Sequence, residues 1–184
     1  MNALVHSRPR SAIRLTVATV AVVLTTSLTA ASALSSQDDL ASIRRATAPF
    51  HNVDAAIAAG YELGYVNGAG VRIITGCIAH PTLGAMGYHY FNKALIDDLV
   101  VDVDRPEGLV YAPEPDGELK LQAVEYVVPG ANSNPPGVAQ APVLFGQDMV
   151  ILVPAVGFYT RHVWLWGHNP SGMFAHWSPE VACS

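Results

Sequence analysis

Basic residues are scarce in this chain. Its 184 residues carry 10 Lys and Arg against 15 Asp and Glu, a net charge of −5. Three of the arginines, Arg8, Arg10 and Arg14, precede residue 33, and no acid does. Beyond that point 7 basic residues face 15 acidic ones, a charge near −8. Such a balance argues against nucleic acid or an anionic membrane as partner. Long apolar runs are missing after residue 28, so no later stretch reads as a membrane span. The familiar active-site patterns are missing as well. There is no Gly-x-Ser-x-Gly, no His-Glu-x-x-His, no phosphate loop and no dinucleotide fingerprint. No internal repeat is found. Cysteine is limited to Cys77 and Cys183.

What is present at the N-terminus has the layout of a signal peptide. A basic start leads into the apolar run Leu15 to Leu28, and Ala31-Ser32-Ala33 has the small-x-small form of a cleavage site. Export with cleavage after Ala33 is expected. The competing reading is a retained anchor, for which the run is barely long enough. Arg8 and Arg10 are split by Pro9 and form no twin-arginine pair. In an oxidising compartment the two cysteines read as one disulfide, Cys77–Cys183, closing a loop of about 100 residues. Residues 34–184 then suffice for a single domain and are too few for two.

Along the chain, Ser35-Ser36 followed by Gln37-Asp38-Asp39 marks a helix start. Leu40, Ile43 and Thr47 fall at helical spacing, and Pro49 ends that helix. Asn52 caps a second helix that stops at Gly60. Residues 61–76 read as loop plus one short strand, Val71 to Ile74. Strands are expected at 84–92, 108–111, 119–128, 149–153 and 157–166. Asp116-Gly117 joins the 108–111 and 119–128 strands as a hairpin. Residues 129–142 form a long Pro/Gly/Asn-rich connection, read either as a binding loop or as a solvated link. No helix of crossover length separates the later strands. The expected fold is α+β, with N-terminal helices packed on one mostly antiparallel, strongly curved β-sheet.

The strand Leu119 to Val128 points to a site. Alternation places Leu119, Leu121, Ala123, Glu125 and Val127 on one face, which is apolar except for Glu125. A buried carboxylate without a partner is costly, so Glu125 calls for a histidine, an arginine, a metal or a proton. Two other strands show the same pattern of one polar group on an apolar face, at His89 and at His162. Arg161 faces away from His162. Two imidazoles and a carboxylate from separate strands suit zinc, copper or iron, with positions left for water or substrate. Tyr90, Tyr126, Trp164 and Trp166 are assigned to the aromatic lining of the pocket. A small-molecule ligand is the expected partner.

Other readings fit the same residues: a metal-free module for an apolar or carbohydrate ligand, a structural protein with a buried Glu–His pair, or a proton-transfer site with Glu125 as base. His80 is a secondary candidate for a fourth ligand and reads better as a loop histidine. His51 reads as a packing or capping residue, and His168 and His176 as exposed.

Three segments resemble a family of exported bacterial proteins of unassigned function. They are Ala85-Met86-Gly87-Tyr88-His89-Tyr90-Phe91-Asn92, Val124 to Pro129, and His162 to Trp166 with Asn169 to Phe174. The resemblance covers most of the chain after residue 33 and implies export but no activity. Tyr88-His89-Tyr90 and Val124-Glu125-Tyr126 are also similar to segments of the plant oil-body-associated proteins, which implies a shared sheet.

Overall fold

In a computed structural model, residues 37–183 are described. The expected signal segment 1–33 and the serines at 35 and 36, read as a helix start, lie outside them. Helix α1 spans 37–47 and buries Leu40, Ile43 and Thr47, the three positions spaced along one face. Thr47 donates its hydroxyl back to the Ile43 carbonyl at 2.8 Å. Pro49 has no N–H to continue the ladder, and a 3₁₀ turn, Ala48–His51, takes over. Asn52 then caps helix α2 (Val53–Ala58), its side chain accepting from the Asp54 N–H at 2.8 Å.

Gly60 has φ +93° and turns the chain into β1 (Tyr61–Leu63). β2 (Tyr65–Val66) and β3 (Arg72–Ile73) form a small ribbon, so the segment read as mostly loop holds three short strands. β4 (Ile78–His80) leads into β5 (Gly84–Asn92), and Asn92 caps the short helix α3 (Lys93–Asp97). β6 (Gly108–Pro113) and β7 (Leu119–Pro129) form the expected hairpin, with Gly117 at φ +86° in the turn. A second ribbon, β8 (Val143–Leu144) with β9 (Gln147–Asp148), precedes β10 (Val150–Ile151) and β11 (Phe158–Val163).

One antiparallel sheet of seven strands runs β1-β5-β6-β7-β11-β10, with β4 also on β5. It is not strongly curled, contrary to the expectation. The order is open, and among the described residues no strand ties β10 back to β1.

Helices α1 and α2 cover one face. Beneath them lie Leu109, Tyr111, Leu121, Val124, Tyr126 and Val128. The other face is covered by loops and by the C-terminal tail. Ser178 pairs with Ala85 at one edge, and a disulfide joins Cys77 to Cys183, 106 positions apart. Central β7 is thus buried on both faces from Ala123 onward. One detail of the alternation differs from expectation. Val110 pairs with Ala123 but Tyr111 pairs with Leu121, so Gln122 is bulged out. The bulge moves Leu121 to the helix side, and the Gln122 carbonyl accepts instead from the Trp166 and Gly167 N–H groups.

Candidate metal centre

On the loop-covered face, His162 sits directly across the ladder from Glu125, while His89 lies on β5, two strands from β7. Backbones that far apart are separated by about 10 Å, and β5 and β11 by about 14 Å. Side chains bridge that span only if the intervening strand is low. β6 supplies Gly108 between Phe91 and Glu125. A Cβ at Gly108 would stand 3.0 Å from the Phe91 ring and 3.2 Å from Glu125 Cβ. Gly87 plays a related part. At φ +118° it lets β5 approach the Tyr111 carbonyl, which a Cβ would meet at 2.3 Å.

The three side chains converge. His89 Nε2 is 3.4 Å from His162 Nε2 and 3.5 Å from Glu125 Oε2, and His162 Nε2 is 3.7 Å from Glu125 Oε1. All three residues are buried, and they are the one group of three or more such ligands among the described residues. The separations exceed those of well-formed hydrogen bonds, about 2.7–3.2 Å. Among the described residues, Glu125 Oε2 and both Nδ1 atoms have no hydrogen-bond partner. Gly87 lies close to His89 without making a hydrogen bond of normal geometry to Nδ1.

Burial dominates the electrostatics. It pushes the Glu125 carboxyl up to about 8, helped by Glu107. It pulls His89 down to about 4, and takes His162 well below the usual histidine range with help from His89, His176 and Arg161. Without an ion the neutral set, a carboxylic acid and two imidazoles, is therefore the stable one near pH 7. Arg161 is no partner to Glu125. It faces away and donates to the Asp148 carbonyl.

A cavity of about 500 Å³ opens over His89 and Glu125. Its apolar walls include Ile74, Ile78, Met86, Phe91, Val127, Leu152, Val153, Val156, Phe158 and Trp177. The aromatics assigned to the pocket lie elsewhere. Tyr90 and Tyr126 neighbour His89 and Glu125 in sequence, so alternation sends them to the helix side, where the Tyr126 hydroxyl donates to the Val103 carbonyl. Trp166 also packs there, its Nε1 donating to Thr47 Oγ1, because β11 ends at Val163 and the period of two no longer holds. Trp164 does share the His162 face, but it packs with Ala85, Val110 and Ala123 and donates to the Ala175 carbonyl. The 129–142 loop is absent from the walls. It folds on itself through Ser133 and the Gly130–Val138 bridge.

His80 lines the cavity, with Nδ1 accepting from the Thr82 and Leu83 N–H groups. It does not join the cluster. His168 is exposed beside Glu180. His176 is not exposed. It is half-buried edge-on to the His162 ring, centroids 5.8 Å apart, because the disulfide-tied tail lies over that face. His51 stands against Trp166. Reading alternation alone also passed over Glu107, a buried carboxyl that accepts from the Val127 N–H at 2.9 Å. It immediately precedes β6.

Comparisons with protein-family models, curated proteins and solved structures returned no match.

Proposed function

We propose that this is an exported metal-binding protein whose ion is held by His89, Glu125 and His162. The observation that carries the reading is the spacing of the three groups. Zinc ligands lie about 2.0–2.2 Å from the ion, so the edges of a tetrahedral site measure about 3.3–3.6 Å. The two Nε2 atoms are 3.4 Å apart, and each faces its own Glu125 oxygen, His89 at 3.5 Å from Oε2 and His162 at 3.7 Å from Oε1, so that one ligand atom from each residue lies within 4.8 Å of the others. Two histidines and a carboxylate also suit copper or iron. Three protein ligands leave further positions for water or a substrate, toward the cavity that His89 and Glu125 line. Export is supported by the layout of residues 1–33 and by the Cys77–Cys183 disulfide.

A second reading has its own observation. Metal-bound histidines usually donate their other ring N–H, and neither Nδ1 finds an acceptor here. That favours a metal-free cavity for an apolar ligand. Elemental analysis of untagged protein, with zinc and copper titrations of the wild type and of Glu125→Gln, separates the two. The metal reading expects one ion per chain, and at least a 100-fold loss of affinity in the variant. No metal in the purified protein and no uptake on titration would sink it.

A further inference from the structure

The cavity says what kind of molecule would reach the ion. Its wall is apolar almost throughout, and Glu125 is the only acidic or basic side chain, histidines aside, that lines it. His80 has its Nδ1 committed to backbone N–H groups. The other polar group on the wall is Thr160, buried, with an Oγ1 that has no partner. It precedes His162 by two residues on the same face of β11 and pairs with Val127. Binding requires both imidazoles neutral and Glu125 ionised. A divalent ion with these ligands keeps one uncompensated positive charge inside an apolar chamber. Such a charge is costly unless an anion meets it.

We infer that the cavity takes an aliphatic monocarboxylate. Its head completes the coordination of the ion and accepts from Thr160 Oγ1, and its chain lies against Met86, Phe91, Phe158 and Trp177. One negative charge balances the site, and a second would find no cation among the lining residues. A volume of about 500 Å³ is within the usual range for organic ligands, about 300–1,000 Å³. The cavity opens past Val153, which is 54% exposed. This inference rests on the metal reading and adds the ligand class.

The test is calorimetric titration of the full chain with acetate, butanoate, hexanoate and octanoate. Protein carrying one zinc by elemental analysis is compared with metal-free protein. In the zinc form each added methylene should tighten binding about fourfold, the ratio equivalent to about 0.8 kcal/mol. The metal-free form should show no such series. Thr160→Val should weaken octanoate about tenfold while keeping the zinc. Val153→Trp, at the exposed rim, should abolish the gain with chain length and also keep the zinc. If zinc binds but affinity ignores chain length, the inference is overturned and the metal reading stands. The same series in metal-free protein would overturn the carboxylate-on-metal arrangement in favour of a plain apolar pocket. Absence of zinc uptake overturns both.

Discussion

Proton release on metal binding offers a sharp test of the buried cluster. At pH 5.5 a Glu125 carboxyl pushed up to about 8 is protonated, and His89 at about 4 is neutral, as is His162, lower than usual for the same reason. Uptake of zinc must then expel about one proton, from Glu125. A solvent-exposed set with ordinary values would behave differently. Its glutamate would already be ionised, and its two histidines would together release about 1.8 protons. Zinc-bound water, with a pKa near 7, adds little at this pH. The count is read by titrating zinc into the protein in buffers of different protonation enthalpy. One proton at pH 5.5 is the expected result. A count near two at pH 5.5 would refute the claim that burial controls these groups.

Three further outcomes are expected. Glu125 and Glu107, both raised to about 8 by burial, hold protons more tightly folded than unfolded, whereas the histidines hold them less tightly. The opposing effects overlap below about pH 6.5. Between about pH 6.5 and 8 only the carboxyls count, so metal-free protein should lose stability there, measured as a falling urea midpoint; a flat midpoint would contradict the assignment. Replacing Cys77 and Cys183 by serine removes a cross-link 106 positions long, which in the chain-entropy account costs about 4–5 kcal/mol; a drop in melting temperature of only a degree or two would show that the tail is held by packing alone. Gly108→Ala places a methyl 3.0 Å from the Phe91 ring and 3.2 Å from Glu125 Cβ. It should cost about 1–3 kcal/mol and weaken zinc about tenfold in a competition assay, and unchanged affinity would show that β6 need not be low there.

Much of the site was readable because a strand's period is simple. Three strands with one polar residue on an apolar face sufficed to name His89, Glu125 and His162, and the sheet brings those faces together. The same period should have excluded Tyr90 and Tyr126, each next to a site residue and therefore on the opposite face. Other misplacements have different causes. Leu121 changed face through a bulge at Gln122, and alternation carries no marker for a single extra residue. Trp166 lies beyond the end of its strand. The cavity wall comes from Ile74, Ile78, Val153, Val156 and Trp177, mostly on irregular segments whose positions depend on long-range contacts. β1 to β4 are two or three residues long, too short for any periodic pattern to register.

The burial of Glu125 is also a tertiary property. β7 alone would expose one face, as antiparallel sheets often do. The chain after β11 returns over that face, with Ser178 paired to Ala85, Trp177 on the cavity wall and Cys183 bound to Cys77. This covering takes water from the carboxylate and the imidazoles together. The nearest permanent cation on the strands, Arg161, is held on the opposite side by the Asp148 carbonyl. A buried glutamate so placed has two ways to avoid an isolated charge, a proton or an ion shared with the histidines. The proton suffices near neutral pH by the values above. Two imidazoles at 3.4 Å from each other are not required by a protonated glutamate, and as neutral rings they satisfy at most one hydrogen bond between them. Their convergence is therefore the part of the arrangement that a proton alone leaves unexplained and that the proposed ion would account for.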